Sequence, residues 1–227
     1  MPGIARDHRS LLELIAAGTA LTEVLDAVAR FIEAHAEGTV LASILLLDRD
    51  GAHLRHGAAP SLPETYTAAI DGVAIGPSVG SCGTAAYHGR KVVVVDIATD
   101  PLWAEFAELA DAHGLRACWS APILASDGEV LGTFAIYRRE PHQPTASEFE
   151  LVELATHLAG IAIEHARTEE DIRASEARKR AILESSLDCV ITKPLSSHTI
   201  SAYSVASWNS AGASSSVDLR TRSSWRS

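Results

Sequence analysis

Between residues 11 and 32, hydrophobic residues recur at intervals of three and four, which is the spacing along one face of an α-helix. A Gly-Thr pair interrupts this pattern, so the segment predicts a short helix followed by a longer one that ends near Gly38. A second periodic segment begins with the sequence Thr145-Ala146-Ser147-Glu148, which predicts a capping box at the start of a long helix. Hydrophobic residues then continue at these intervals to Ile172, in a heptad-like seam that polar residues weaken in its middle.

Between these helices, short apolar segments alternate with turn residues, which predicts β-strands. Residues 40–48 and 53–58 predict two strands joined by a turn. Residues 92–95 are four consecutive valines, and because such a run does not alternate between faces, it predicts a strand that is covered on both sides. The sequence Ser126-Asp127-Gly128 lies between two apolar segments and predicts a β-hairpin, since glycine adopts the positive φ that the turn requires.

Three shorter helical segments are predicted within the same region. Residues 64–70 follow a proline, which is tolerated at the start of a helix. Residues 82–87 predict a helical turn just after Gly80, with free backbone N–H groups that suit an anion or a carbonyl oxygen. Asp100 and Pro101 are predicted to cap and start a helix whose hydrophobic face consists of Trp103, Phe106 and Leu109.

The middle of the chain resembles the GAF family, the small sensory domains of phytochromes, cyclic-nucleotide phosphodiesterases and bacterial signalling proteins. The resemblance extends from about Leu11 to Arg167 and implies an α+β fold. In that fold, helices pack on one face of a central antiparallel sheet, a small-molecule pocket lies on the other, and a long C-terminal helix follows. The segments that carry the resemblance are Gly80-Ser81-Cys82-Gly83-Thr84-Ala85, residues 93–101, residues 113–123 and residues 128–132.

Residues near these segments are the candidates for the lining of the pocket. Alternation along the strand after His113 predicts that Cys118 and Ser120 point to one face and Trp119 to the other. Asp96 could accept a hydrogen bond from a ligand or cap the following turn, and the cap is favoured. The tryptophans either line the pocket or pack in the core. The candidates are Ser81, Cys82, Thr84, Asp96, Trp103, Phe106, Cys118, Ser120 and Phe134.

The same residues bear on several specific chemistries. Cys82 lies in a segment similar to the free methionine-sulfoxide reductases, but the partner cysteines of that family occupy a different loop from Cys118, so a structural role is favoured for both cysteines. A redox sensor in which Cys82 and Cys118 join remains an alternative. A bilin is not expected, because the attachment cysteine is absent before His113. The cyclic-nucleotide signature is also absent, and no histidine, including His88, has ligand spacing for haem or a metal.

Composition limits the partners and the setting. The 227 residues carry a net charge of −10, which argues against nucleic acid or an anionic membrane as the main partner. No apolar run reaches the length of a membrane span, and residues 1–10 lack the apolar core of a signal peptide. Three widely spaced cysteines do not form a disulfide framework, so a reducing cytoplasm is the expected location.

The sequence divides into three parts. Residues 1–167 are predicted to form the sensory domain, and residues 168–194 a signalling helix followed by a segment that resembles the start of a PAS domain. Residues 195–227 are rich in serine and predicted to be disordered. The expected protein is a non-catalytic sensor that binds a small ligand and forms a homodimer through its terminal helices. It would signal to an output domain of the histidine-kinase or cyclic-di-GMP type that this chain lacks.

Overall fold

The computed structural model describes the backbone of residues 2–191 and the side chains of residues 4–183. Over this range the helices and strands follow the predicted order, with a long first helix in place of a short one. The helices are α1 (Pro2–Ala16), α2 (Leu21–His35), α3 (Glu64–Ile70), α4 (Gly80–His88), α5 (Ala107–Ala112) and α6 (Ala146–Ile191). The strands are β1 (Leu41–Leu47), β2 (His53–Ala58), β3 (Val73–Ala74), β4 (Val92–Val94), β5 (Ala117–Leu124) and β6 (Val130–Arg138).

The six strands form one sheet in the order β3-β2-β1-β6-β5-β4, and every neighbouring pair is antiparallel. The hairpin between β5 and β6 turns at Gly128, whose φ of 91° is of the sign that the sequence predicted. The long pairing of β5 with β6 sets Cys118 opposite Tyr137 and Trp119 opposite Ile136. Because side chains alternate along a strand, these two pairs face opposite sides of the sheet.

Each face of the sheet carries its own hydrophobic core. On one face, α1, α2 and α6 cover a core that includes Ile32, Trp119, Phe134 and Leu158. On the other face, the short helices α3, α4 and α5 cover a second core around Tyr66 and Tyr137. The predicted α+β fold with a central antiparallel sheet and a long C-terminal helix is therefore confirmed. The long helices cover one face of the sheet, and the short helices cover the other.

Two local predictions differ from the structure. The strand predicted at residues 92–95 ends one residue early: Val93 packs against the core under the long helices and Val94 lies in the core under the short ones, but Val95 lies beyond β4 and is 40% exposed. The helix predicted from Pro101 is interrupted. Residues Pro101–Trp103 form a 3₁₀ turn, and α5 starts only at Ala107. The Asp100 side chain caps the turn as predicted, accepting a hydrogen bond from the Leu102 N–H at 2.9 Å.

The start of α6 is the predicted capping box. The Glu148 carboxylate accepts the Thr145 N–H at 2.8 Å, and the Thr145 hydroxyl accepts the Glu148 N–H at 3.3 Å. Residues as far as Arg178 belong to one compact unit, and Lys179 begins a second. The predicted PAS-like segment extends past Ile191, and the serine-rich segment of residues 195–227 lies wholly outside the described residues.

Candidate functional site

A small cavity lies on the sheet face that α3, α4 and the 3₁₀ turn cover. Its volume is about 30 Å³, which is room for one or two water-sized molecules. Sites for larger ligands usually enclose about 300–1,000 Å³. None of the described residues that line it carries a charge. The lining consists of Leu45, Tyr66, Ile70, Val73, Val79, Gly80, Ser81, Cys82, Gly83, Trp103, Phe106 and Tyr137.

Helix α4 forms one wall because its side chains are small enough to pack directly on the sheet. Every residue from Gly80 to Ala86 is buried. Ser81 holds three elements together at this wall. Its hydroxyl donates to the Cys118 carbonyl oxygen of β5 at 3.2 Å and accepts the indole N–H of Trp103 at 3.0 Å. The wall that α4 forms is thus tied both to the sheet below and to the 3₁₀ turn beside it.

Aromatic rings form the other walls. Trp103 is buried, and its ring meets Phe106 and Tyr137 edge to face, with centroids 6.4 and 6.5 Å apart. Tyr66 from α3 meets Tyr137 in the same geometry at 5.8 Å. Such contacts add to the stability that burial provides and fix the ring orientations. The cavity is therefore mostly apolar, with a few polar atoms concentrated at one end.

Beside the cavity, Cys82 and Tyr137 belong to a buried group of thiols and hydroxyls that also includes Cys118, Ser120 and Thr133, none of which lines the cavity itself. The Cys82 sulfur lies 3.9 Å from the Tyr137 hydroxyl oxygen, and Ser120 donates to the Phe134 carbonyl at 3.3 Å. The Thr133 hydroxyl is fully buried and has no geometrically acceptable hydrogen-bond partner in the described part of the chain. It nevertheless lies near enough to Cys82 to stabilise that sulfur once it is ionised. This group of thiols and hydroxyls therefore contains a hydroxyl donor, that of Thr133, that makes no conventional hydrogen bond among the described residues.

These contacts separate the acidities of the two cysteines. A hydrogen bond from the Cys118 thiol, supported by Ser120, Tyr137 and Thr133, lowers the pKa of Cys82 to about 7, against the opposing effect of burial. Burial raises the pKa of Cys118 well above its ordinary value. Burial likewise raises the pKa of Tyr137 and of Tyr66, so both phenols stay neutral near pH 7. Cys82 is the one member of this group that titrates near neutrality.

The structure brings together some of the candidates predicted from sequence. Cys118 and Ser120 lie buried in β5, on the same sheet face as Cys82 but outside the lining itself. Thr84 is turned to the Val79 N–H, which its hydroxyl accepts at 3.0 Å. The candidates that line the cavity are Ser81, Cys82, Trp103 and Phe106.

Two candidates lie away from the cavity, and for Asp96 the favoured alternative, a turn cap, is the one observed. Asp96 forms an ion pair with Arg116 at 3.0 Å and accepts the Ala98 N–H, as a turn cap rather than as part of the cavity. Phe134 packs in the core under α1, α2 and α6, because alternation along β6 turns it away from the cavity. The same alternation brings Tyr137 to the cavity. The pairing of Cys118 with Tyr137 across the hairpin was the signal that could have identified it.

A second polar group connects β6 to the start of α6. The Arg138 guanidinium contacts the Glu148 carboxylate at 2.5 Å, and both side chains are buried. His142 contacts the other oxygen of Glu148 at 2.9 Å and stacks on Trp119. Burial alone raises the pKa of Glu148, but hydrogen bonds from His142, the Thr145 N–H and Arg138 together lower it to about 2. Glu148 is therefore ionised at neutral pH and holds the N-terminus of α6 against the sheet.

The described residues contain neither a cluster of metal ligands nor a helix that could span a membrane. The His113 Nδ1–H donates to the Leu109 carbonyl oxygen, and its Nε2 lies beside the Thr65 hydroxyl, each at 2.9 Å. Within residues 2–191, no group of three His, Cys, Asp or Glu side chains is arranged to hold a metal ion. Over the same range, no helix is long and apolar enough to cross a membrane.

An antiparallel sheet with long helices on one face and short helices over a small cavity on the other is an architecture that this chain shares with solved GAF domains. A family profile described as GAF domain matches residues 18–164, and the chain belongs to this family. A relative from Methanosarcina acetivorans, named methyl sulfide methyltransferase-associated sensor, is 42% identical over 174 residues, which are 77% of this chain and 17% of the relative. The chain thus spans only a small part of that protein's length.

Solved structures share the fold. A domain of a two-component sensor histidine kinase protein from Sinorhizobium meliloti is 26% identical, with a TM-score of 0.57, and the match covers 68% of this chain and 98% of that domain. The free methionine-R-sulfoxide reductase from Neisseria meningitidis is 18% identical, with a TM-score of 0.56, over 73% of this chain and 91% of that one. At that identity, the second likeness shows the fold alone.

Proposed function

We propose that this chain is a non-catalytic, cytoplasmic sensory module that reads the state of the cavity under α4 and passes it on through α6. The observation that carries the proposal is the physical connection between the cavity and the start of α6. Cys118 and Tyr137 face the cavity side of the sheet, and the residues that follow them, Trp119 and Arg138, face α6. A shift of β5 or β6 at the cavity therefore displaces the groups that hold α6.

A small group of side chains connects the sheet to the start of α6. Arg138 binds Glu148 of the capping box, and its guanidinium also lies over the Trp119 ring at 6.0 Å. Trp119 in turn stacks on His142, which completes the contact to Glu148. A ligand changes the arrangement of α6 only if it binds two arrangements with different affinity. This cluster is the part of the fold where such a difference could be expressed.

The small volume of the cavity limits the size of a ligand that could act as the signal. About 30 Å³ admits a ligand of very few atoms unless α3 and α4 move apart. The small volume also argues against the alternative function, reduction of free methionine sulfoxide, because the side chain of that substrate alone exceeds it. The sensor name of the relative from Methanosarcina acetivorans supports the regulatory function over the reductase.

We further propose that the module acts as a homodimer that joins parallel α6 helices and controls an output domain of the histidine-kinase or cyclic-di-GMP type. The heptad-like seam of α6 leaves the domain surface in its second half. His165 and Thr168 on this seam are exposed, and Ile172 is 53% exposed. A hydrophobic residue at a core position of a heptad is stabilised when a second helix covers it. A second copy of α6 provides that cover.

Light scattering and cross-linking of residues 1–194 test the dimer. We expect a dimer at micromolar concentration, and we expect Ile172→Asp to shift it toward monomer because a charge would then face the partner helix. Ala174→Asp is the matched control, since residue 174 is exposed on the opposite side of α6 and should leave the dimer intact. A wild-type protein that is monomeric throughout this range would contradict the dimer.

A further inference from the structure

Two of the three cysteines of the chain meet beside the cavity. Cys82 lies on α4 and lines the cavity, whereas Cys118 lies on β5 and is buried on the same face of the sheet. The Ser81 hydroxyl bonds the Cys118 carbonyl oxygen at 3.2 Å, which holds α4 and β5 together next to both thiols. Cys118 stands opposite Tyr137 across the β5–β6 pair, and the Tyr137 hydroxyl oxygen lies 3.9 Å from the Cys82 sulfur. The two sulfurs are thus neighbours on different elements of the fold.

Access to the two sulfurs is unequal. Cys82 is 8% exposed and forms part of the cavity wall, whereas Cys118 is 0% exposed. A small molecule that enters the cavity therefore meets Cys82 first. Cys118 does not line the cavity and is buried, so its expected role is to react with a group already attached to Cys82.

A buried thiol is ordinarily unreactive, because apolar surroundings favour its neutral form. Cys82 differs because hydroxyl groups lie near it, including that of Tyr137 at 3.9 Å and that of Thr133, which has no other hydrogen-bond partner among the described residues. With these donors and the Cys118 thiol, the pKa of Cys82 is about 7, so a substantial fraction is thiolate at neutral pH. The thiolate is the form of cysteine that attacks an oxidant.

The cavity selects the oxidant by size. Its volume of about 30 Å³ accommodates one or two water-sized molecules. Hydrogen peroxide has two heavy atoms and can use the hydroxyl donors at the polar end of the cavity. An organic hydroperoxide with an aromatic group does not fit without opening the wall that α4 forms.

We propose that Cys82 and Cys118 form a dithiol centre that hydrogen peroxide oxidises to a disulfide. The Cys82 thiolate attacks one peroxide oxygen, the O–O bond breaks, and the leaving hydroxide takes a proton to become water. Cys82 is then a sulfenic acid. The Cys118 sulfur attacks the Cys82 sulfur, the S–O bond breaks, and a second water leaves as the S–S bond forms. Two thiols and one peroxide give one disulfide and two waters.

This inference deepens the proposed function by naming the signal, and it rests on that function only for transmission to α6. The test uses the full chain with Cys189→Ser, so that only the two cavity cysteines remain. After hydrogen peroxide treatment, mass spectrometry is expected to show the loss of two hydrogens and a peptide cross-link between residues 82 and 118. With Cys118→Ser added, a dimedone probe should label Cys82, and with Cys82→Ser added instead, it should leave Cys118 unlabelled.

Two controls sharpen this test. Cumene hydroperoxide should oxidise the pair at least about tenfold more slowly than hydrogen peroxide does, while both oxidise free glutathione. The oxidation rate should rise with pH to a plateau, with its half-maximal value near pH 7, since only the Cys82 thiolate reacts. If a serine variant fails to fold, the cross-link in the Cys189→Ser chain still shows whether the disulfide between residues 82 and 118 forms. Absence of the cross-link, first attack at Cys118, or equal rates for the two peroxides would overturn the inference.

The outcomes separate this inference from the proposed function. A disulfide that forms while hydrogen exchange in α6 stays unchanged would contradict transmission and leave the redox centre standing. Failure of the disulfide to form would overturn the redox centre, and the sensory function would then depend on another small ligand.

Discussion

Replacing Glu148 by alanine is expected to lower the free energy of unfolding by about 3–5 kcal/mol, because it leaves the Arg138 guanidinium buried without its counter-ion. The same substitution also removes the acceptor for the Thr145 N–H in the capping box. Urea unfolding of the purified chain measures the effect. Removing both charges with Arg138→Met and Glu148→Met should cost less than Glu148→Ala alone, since no unpaired charge then remains.

Glu153→Ala is the matched control on the same helix. Glu153 pairs with Lys91, but its side chain is 63% exposed, so its loss should change the free energy of unfolding by less than about 1 kcal/mol. Equal losses for Glu153→Ala and Glu148→Ala would contradict the role of the buried pair.

The pH dependence of stability tests the same group. The pKa of Glu148 is about 2 in the folded protein, against an ordinary value of 4.5. A lowered folded pKa means that the stabilisation is fully present above pH 4.5 and is lost as the pH falls toward 2. Glu148→Gln should therefore lose less stability than the wild type over this range. Parallel pH profiles for the two proteins would contradict this assignment.

Gly132→Ala is expected to destabilise the fold by about 3 kcal/mol or more. A Cβ atom at residue 132 would lie 2.2 Å from the Leu45 carbonyl oxygen and 3.1 Å from the Leu46 Cα. Both contacts are backbone atoms of β1, which pairs with β6 in the centre of the sheet, so neither can move without breaking the pairing. Thermal unfolding, or loss of soluble protein on expression, measures the effect.

Gly51→Ala separates a steric clash from backbone strain. Gly51 has a φ of 69°, but a Cβ there would meet nothing within 4 Å. Its replacement should cost only about 1 kcal/mol for the left-handed conformation. If Gly132→Ala were no more harmful than Gly51→Ala, the close approach of β1 and β6 would be contradicted.

The elements that sequence could predict are those with a local cause. The capping box at Thr145 and the turn at Gly128 depend on residues only a few positions apart, and the structure has both where they were predicted. Spacing within α2 likewise identified its buried face, which includes Val28 and Ile32.

The misplaced residues depend on contacts between distant segments. Nothing in the valine run at residues 92–95 indicates that β4 lies at the edge of the sheet, since that depends on the strand order. The placement of Phe134 and Tyr137 requires the register of β6 against β5. The ion pair of Arg138 with Glu148 and the small cavity volume follow from packing across the sheet, which no local pattern contains.

The most direct test of the account is amide hydrogen exchange along residues 146–183 of α6 when the cavity is filled by Cys82→Met. The longer side chain would occupy the volume of about 30 Å³ beside Tyr137. Leu124→Met, at a position that is 44% exposed on β5, is the control that adds a methionine away from the cavity. Transmission from the cavity to α6 predicts altered hydrogen exchange near Glu148 and along α6 for Cys82→Met but not for Leu124→Met. Altered exchange in α4 with α6 identical to the wild type would contradict transmission from the cavity to the helix.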